Sequence, residues 1–333
     1  MAEVLEVFRK SSDRVKAGVD VPRDTLIALM EESGLFLRHG EPADELSDDF
    51  LDEFHASVRA AGEESARKPV IIGEVWENAA EKTAYGRRRR YLQGGQLDSV
   101  MNYPVRSGIL AFVCDRDAEM LYDVLTELYA SYPRPVSDSL MNLIGTHDTE
   151  RILTVLGSEP GDYDRSNRAL SVARLSPEKR RAAAHLLKLA SLLQYTVFGI
   201  PSLYYGDEVG LEGYHDPFCR MPFPWDELEE PVRADLLAHY RALGALRAHP
   251  ALNRGGFLPV GHGADWLALR RPPPPGQVFR RRAEGQPPQK RGVHLADAFF
   301  RHSKAPFAGI IGFVPIMPRG GPYRKNKSRK NAG

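Results

Sequence analysis

Two short stretches of this sequence place acidic side chains next to aromatic or imidazole groups. The first stretch, residues 73–77, reads GEVWE and contains Glu74 and Trp76. An indole beside a carboxyl group offers a flat face to a sugar ring and lowers the local dielectric, which favours the protonated acid that general acid catalysis needs. A loop glutamate that caps a helix is the alternative interpretation of so short a motif.

The second stretch, residues 145–151, reads GTHDTER and places His147 directly before Asp148. Asp148 and Thr149 alternatively cap a helix, with Glu150 in its first turn, where the helix dipole favours an acid. That alternative accounts for the aspartate but not for the histidine. An imidazole and a carboxylate together are suited to hold sugar hydroxyls and to stabilise positive charge at an anomeric carbon.

Short apolar runs are the elements that would position these motifs. Residues 68–74 read KPVIIGE, a β-branched run that is too short for a helix and lacks polar alternation. Such a run is typical of a strand buried on both faces of a parallel sheet. Similar runs occur at residues 97–103, 140–145 and 200–205.

Helical patterns alternate with these runs, which predicts a parallel sheet with helical crossovers. The predicted helices cover residues 46–60, 105–113, 118–131, 149–156, 177–198 and 231–248. Polar residues follow each strand, as expected at the catalytic face of a β/α barrel. These residues are Glu74, Asn102, His147, Asp148, Asp207 and Glu208.

A complete barrel of eight strand-helix units needs about 250 residues. Four strand-helix units can be recognised from residue 69 onward, and the preceding segment is too short for four more. We therefore predict an α/β chain that holds the carboxyl half of a (β/α)8 TIM barrel, strands 5 to 8, incomplete. Apolar residues between 256 and 270 predict the remnant of a C-terminal β domain.

Composition excludes several classes of protein. The chain has 333 residues, 42% of them hydrophobic, which excludes full disorder. No run of apolar residues is long enough for a membrane span, no leader pattern occurs, and the two cysteines form no CxxC motif. We expect a cytoplasmic protein without a metal site or a cofactor.

The charge is unevenly distributed along the chain. Residues 271–333 contain 14 Lys and Arg against 2 Asp and Glu, and 10 of the 25 prolines. This composition predicts a disordered tail. A basic tail attracts anionic surfaces, but its basic runs at 280–282 and 324–330 contain no interleaved aromatic residues, so we do not expect a nucleic-acid partner.

Three motifs in order resemble the alpha-amylase family, glycoside hydrolase family 13, near its neopullulanase and cyclomaltodextrinase-like members. They are GEVWE at 73–77, NLIGTHDTERIL at 142–153 and GIPSLYYGDEVGLEGYHDPFCRMPFPW at 199–225. The resemblance covers roughly residues 43 to 270. It implies that Glu74 is the general acid/base and that Asp148 stabilises the transition state. It also implies a set of substrate-binding residues: His147, Trp76, Asn142, Tyr205 and Arg220.

The sequence departs from the family where the nucleophile belongs. Retaining enzymes need a second carboxylate about 5 to 5.5 Å from the acid. The family places it on the fourth strand, in a motif of the form GWRLDVADEL, whereas residues 36–46 read FLRHGEPADEL. Glu41 falls at the nucleophile position without the apolar strand residues that would hold it. We favour a surface loop glutamate there, and a truncated or frame-disrupted family member.

The sequence thus predicts four segments. They are a divergent helical or irregular segment at 1–42, a partial catalytic-type domain at 43–250, the start of a β domain at 251–271 and the tail at 272–333. The expected function is hydrolysis of α-glucosidic linkages in malto-oligosaccharides or dextrins, impaired by the missing nucleophile. The alternative is a noncatalytic sugar-binding or structural protein. We expect no membrane partner, and uncovered apolar surface predicts self-association.

Overall fold

The computed structural model describes residues 46–84, 86–263 and 266–272, together with the backbone of Ile310–Pro315. The chain divides into two units at Leu46, and all described residues belong to the second unit. Glu41 and the predicted segment 1–42 therefore lie outside the described residues. The described part begins with the helix predicted over 46–60.

Four short parallel strands form one row. The strand β1 (Ile72–Gly73) pairs with β4 (Ser99–Val100), and β5 (Met141–Asn142) pairs with β6 (Ile200–Pro201). A parallel bridge from Met101 to Met141 joins the two pairs. All four strands start within the predicted apolar runs, so the alternation of strand and helix is confirmed for these residues. Between β1 and β4, β2 (Thr83–Ala84) and β3 (Arg87–Arg88) form an antiparallel pair.

Helices cover the outer side of this row, and most begin at a residue whose side chain caps the first turn. Ser47, Asp117 and Ser176 each accept a hydrogen bond from a backbone N–H in the first turn. In chain order the helices are α1 (Asp48–Glu64), α2 (Tyr103–Leu110), α3 (Ala118–Ser131), α4 (Arg134–Ser139), α5 (Ile152–Gly157), α6 (Asn167–Leu170), α7 (Pro177–Thr196), α8 (Pro231–Arg247) and α9 (Pro250–Asn253).

The core lies between the row of strands and these helices. The central helix α7 packs against both α5 and α8. Its buried face consists mainly of small and branched apolar residues, which allow a close approach of neighbouring helices: Ala183, Ala184, Leu187, Ala190, Leu192 and Leu193. None of the helices in the described segments is both long and apolar enough to span a membrane.

A small antiparallel sheet follows the helices. It contains β7 (Leu258–Gly263), β8 (Trp266–Arg271) and β9 (Ile310–Pro315), in that order across the sheet. The predicted β segment after residue 256 is therefore present. The prediction of a disordered tail over 272–333 is wrong for β9, because the apolar run IIGFV supplies a strand that pairs along β8. The rest of the tail from residue 273 lies outside the described residues.

Two local predictions are wrong. The strand β1 is buried on one face only, since Gly73 is buried while Ile72 is exposed. The helix predicted from residue 149 begins at Ile152 instead. Arg151 before it has non-helical backbone, with φ −55° and ψ 134°, and a fully buried side chain.

Candidate active site

Parallel strands end at the same edge of a sheet, so residues that follow them are brought together. Glu74 directly follows β1, and Asn102 and Tyr103 lie just after β4. His147 and Asp148 come five and six residues after the end of β5, and Tyr205 comes four after β6. The predicted site residues in the described ranges therefore belong to loops at one edge of the row.

Glu74 is held by an aromatic neighbour that the sequence analysis did not single out. The hydroxyl of Tyr103 donates a hydrogen bond of 2.9 Å to Glu74 Oε1. The ring of Tyr103 stacks on the indole of Trp76, with ring centroids 3.9 Å apart and planes 15° from parallel. Tyr103 is buried whereas Trp76 is exposed, so the stack presents the indole to solvent beside the carboxyl group.

Tyr103 also connects Glu74 with the second motif. Burial, followed by the hydrogen bond to Glu74, raises the pKa of the Tyr103 hydroxyl, while a hydrogen bond with the Thr146 side chain lowers it. Thr146 Oγ1 in turn accepts the backbone N–H of Asp148 at 3.2 Å. The hydroxyl of Tyr103 therefore contacts both the loop after β1 and the loop after β5.

The side chains of the second motif form a chain of polar contacts. His147 Nε2 lies 3.2 Å from Asp148 Oδ2, and Arg220 donates to Asp148 Oδ1 at 3.2 Å. Arg220 Nε lies 2.6 Å from Asp216 Oδ1. One oxygen of Asp148 thus faces the imidazole and the other faces the guanidinium. This arrangement fixes the orientation of the carboxyl group.

The alternative interpretation of Asp148 and Thr149 as helix caps is wrong. The helix α5 begins at Ile152 after Arg151, and no side chain caps it. Thr149 instead uses Oγ1 to accept the backbone N–H of Thr146 at 3.2 Å. The residues of this loop therefore hold the loop itself in shape, and Asp148 remains part of the chain of polar contacts.

Arg151 is the buried support beneath these loops. Its Nε donates to the carbonyl oxygen of Cys219, and its Nη1 donates to the carbonyl oxygen of Tyr205. Its guanidinium lies over the rings of Tyr204 and Tyr205, with distances of 4.1 and 4.4 Å to the ring centroids. Arg151 thereby links the loop after β5 with the loop after β6 and with residues next to Arg220.

Asp207 lies below the same loops and is fully buried. Its Oδ1 is 3.5 Å from Arg151 Nη1, and its Oδ2 has no hydrogen-bond partner in the described structure. Burial raises the pKa of Asp207 to about 7, although Arg151 acts in the opposite direction. A side chain at Gly145 would bring its Cβ to 2.3 Å from Oδ2, so only glycine fits there.

Two of the predicted substrate-binding residues have other roles. Asn142 is buried, accepts a hydrogen bond from Asn102 at 2.8 Å and donates one to the carbonyl oxygen of Phe198 at 2.6 Å. Both ends of its amide are used in these buried contacts, and its contact with substrate stays a prediction. The hydroxyl of Tyr205 donates to the carbonyl oxygen of Met221 at 2.8 Å. Its partly exposed ring remains at the edge of the site.

Sequence reasoning missed Tyr103, Asp216 and Arg151. Tyr103 directly follows Asn102, which the strand pattern had placed at a strand end, so its position could have been found. The contacts of Arg151 depend on three loops far apart in the sequence and leave no local signal. Among the described residues, no group of three or more His, Cys, Asp and Glu side chains is placed to hold a metal ion.

The fold and the site together define a β/α-barrel protein with carboxylates, an imidazole and an exposed indole at the carboxyl ends of its strands. Residues 42–235 match the family model of the alpha-amylase catalytic domain. The chain belongs to the alpha-amylase family.

Curated relatives agree with this assignment. A cyclomaltodextrinase from Bacillus sp is 36% identical over 231 residues, which are 68% of this chain and 34% of that protein. Neopullulanase 2 from Thermoactinomyces vulgaris is 32% identical over 216 residues, 64% of this chain and 30% of that protein. The chain spans about a third of the length of the curated relatives it matches.

Solved structures extend the similarity to three dimensions. A cyclic alpha-maltosyl-(1→6)-maltose hydrolase from Arthrobacter globiformis matches with a TM-score of 0.52 and 31% identity, covering 68% of this chain and 43% of that chain. A cyclomaltodextrinase structure matches with a TM-score of 0.52 and 35% identity, covering 69% of this chain and 33% of that chain. The fold is that of the (β/α)8 TIM barrel.

Proposed function

We propose that the chain is a glycoside hydrolase of the alpha-amylase family, built for α-glucosidic linkages of malto-oligosaccharides, dextrins or cyclodextrins, whose hydrolysis is impaired because the nucleophile motif is missing. The names of the relatives support this substrate class. The observation that carries the proposal is the hydroxyl of Tyr103, which hydrogen-bonds to Glu74 and lies under an exposed indole. An acid next to an exposed aromatic face is what protonation of a bound sugar requires.

The residues have separate roles in this proposal. Glu74 protonates the oxygen of the leaving sugar, and Tyr103 orients the carboxyl group for that transfer. Asp148 stabilises the positive charge that develops at the anomeric carbon, since its carboxylate is already oriented by His147 and Arg220. Trp76 stacks on a sugar ring next to the bond that is cleaved.

The described row of strands corresponds in this proposal to strands 5 to 8 of the barrel. A retaining reaction then lacks its nucleophile, because that carboxylate belongs to the fourth strand. Glu41 is the only acid that the sequence resemblance aligns with this position, and it lies outside the described residues. We therefore expect the isolated chain to hydrolyse no faster than background.

Noncatalytic sugar binding is the second candidate function. The specific observation in its favour is the exposed Trp76, which is supported by Tyr103 and does not depend on a nucleophile. A carboxylate, an imidazole and a guanidinium at the same edge add hydrogen-bonding groups for hydroxyls. Half of a barrel cleft binds weakly, since contacts from the other half are missing.

Single-turnover hydrolysis of p-nitrophenyl α-maltoside and of cyclodextrin separates the two candidates. We expect a rate at background, because removal of an essential member of a catalytic unit costs about 10⁴ to 10⁶ in rate. The matched controls are Glu74→Gln and Glu41→Gln. Activity that disappears in both variants would make Glu41 the nucleophile and the chain a complete enzyme. Activity that neither variant changes comes from a contaminant.

A further inference from the structure

Three arginine side chains, Arg134, Arg247 and Arg271, lie near one another and form what we call the arginine cluster. Arg134 begins α4, which precedes β5, and Arg271 is the last residue of β8. Arg247 ends α8 and donates to the carbonyl oxygens of Tyr195 and Gly199, just before β6. Residues that precede parallel strands lie at the amino ends of those strands, so the cluster is separate from the candidate active site at their carboxyl ends.

One carbonyl oxygen joins two members of the cluster. The oxygen of Gly255 accepts a hydrogen bond of 3.2 Å from Arg134 Nη2 and one of 3.4 Å from Arg271 Nη2. The two guanidinium groups are therefore direct neighbours. Arg134 lies over the ring of Tyr129 and Arg271 over the ring of Phe257. These two rings contact each other, with centroids 5.4 Å apart, so an aromatic surface lies behind the two positive charges.

Arg271 has hydrogen-bond donors that no group in the described ranges accepts. Its side chain is buried, with 5% exposure, and its Nε and Nη2 donate to the carbonyl oxygens of Ala251 and Leu252. Its Nη1 is buried as well, but it has no hydrogen-bond partner among the described residues. A buried donor on a charged group is costly when it is unpaired. We therefore expect an acceptor at Nη1.

Positive charge exceeds negative charge at this place. The carboxylate that faces the cluster is Asp138, whose Oδ1 lies 2.9 Å from Arg134 Nε, and both side chains are about half exposed. Burial lowers the pKa of Arg271 to about 10; the charges of Arg247 and Arg134 act in the same direction, and Asp138 opposes them. Bringing an anion to these guanidinium groups relieves their repulsion.

We propose that the arginine cluster is a binding site for a small oxyanion, namely phosphate, either free or as the phosphate group of an ester. Arg134 lies at the solvent-exposed end of the site, and Nη1 of Arg271 is the donor at its buried end. A tetrahedral oxyanion accepts hydrogen bonds from several guanidinium donors at once. The inference does not depend on hydrolysis, because none of the three arginines is among the residues proposed to contact sugar.

An acid from the undescribed part of the chain is the competing partner for Arg271. The sequence after this residue contains two acids, Glu284 and Asp297. If one of them bonds to Nη1, the wild type binds no phosphate, and Glu284→Gln or Asp297→Asn uncovers the site. Phosphate binding by the unchanged chain therefore distinguishes the proposed ligand from an internal counter-ion.

Isothermal titration calorimetry of the full chain with inorganic phosphate, at constant ionic strength, is the first test. We expect Arg271→Met to weaken binding about tenfold or more, since hydrogen bonds to a charged group are lost. The matched control is Arg241→Met, at an exposed position of α8, which should bind phosphate as the wild type does. A parallel titration with glucose 6-phosphate distinguishes the two sources, because tighter binding of this probe identifies an ester as the ligand.

Two substitutions at half-exposed positions keep the test decisive if Arg271→Met does not fold. Arg134→Gln should weaken phosphate binding, whereas Asp138→Asn should strengthen it severalfold, because an opposing charge is removed. Asp123→Asn makes the same change of net charge at an exposed position of α3 and should have no effect. Circular dichroism confirms that each chain is folded. No phosphate binding by the folded wild type, equal weakening in Arg241→Met, or equal effects of Asp138→Asn and Asp123→Asn overturns the proposal.

Discussion

At the scale of single residues, Tyr103 determines how Glu74 is presented. It is buried, its hydroxyl bonds to Glu74 Oε1, and its ring supports Trp76. Tyr103→Phe keeps the stack and removes the hydrogen bond. We expect a loss of about 1 kcal/mol in the free energy of unfolding, because a donor to a half-buried carboxylate is lost.

A double-mutant cycle in urea checks this contribution. Tyr103→Phe should cost much less in the Glu74→Gln background, where the bond to the carboxyl group of Glu74 is already replaced. Equal costs in both backgrounds would mean that the two side chains do not interact.

Two buried titratable groups predict opposite dependences of stability on pH. Burial raises the pKa of Asp207 to about 7, so its contribution to stability is present at pH 4 and is lost as the pH rises to 7. Burial lowers the pKa of His239 to about 4, so its contribution is lost as the pH falls from 6.5 to 4. Wild-type stability should therefore vary little between pH 4.5 and 6.5, over roughly the range where the two effects oppose.

Thermal unfolding of two variants from pH 4.5 to 8 separates these groups. In Asp207→Asn only the pH dependence contributed by His239 remains, so thermal stability should increase as the pH rises. In His239→Gln only the pH dependence contributed by Asp207 remains, so thermal stability should decrease as the pH rises. A variant whose profile is parallel to that of the wild type shows that the substituted group does not titrate differently in the folded state.

Much of the site was predictable from residue types alone. Glu74, His147 and Asp148 were placed at strand ends by the apolar runs before them, and the structure puts them there. The buried contacts of Asn142 could not be predicted, because residue type does not tell which neighbours an amide side chain bonds to. Arg151 was missed because its partners are 54 to 68 residues away in the sequence.

At the scale of elements, the helices were located well because side-chain caps and apolar periodicity agree. The helix α3 has the predicted bounds, and α7 ends two residues before its predicted end. The strands contain two residues each, although the apolar runs are longer, since pairing in the row is confined to a short stretch. The strand β9 was missed because its pairing with β8 is a long-range contact within a stretch of tail-like composition.

The cap of α7 gives a direct test at this scale. Ser176 accepts the backbone N–H of Lys179 at the start of the central helix. Ser176→Ala should lower the free energy of unfolding by about 1 kcal/mol. Ser107→Ala, at an exposed position inside α2, is the matched control and should have little effect. Equal effects of the two substitutions in urea unfolding would show that the cap does not stabilise the helix.

At the scale of the whole molecule, the proposed function assigns recognition of an α-glucan and its hydrolysis to different parts of the chain. The residues proposed to contact the sugar lie in loops that follow the described strands, whereas the family resemblance aligns the nucleophile with Glu41, which lies outside the described residues. Binding of sugar is therefore the property that the described residues are expected to retain.

Isothermal titration calorimetry of maltotriose with the purified chain tests this central claim. We expect weak binding that is lost in Trp76→Ala, because the stacking face is removed, and that is retained in Phe54→Ala. Phe54 is a matched control, since it is an aromatic residue with the same 39% exposure as Trp76 but lies on α1. Loss of binding in Trp76→Ala but not in Phe54→Ala agrees with a sugar site at Trp76. No binding by the folded wild type, or equal binding by both variants, would contradict it.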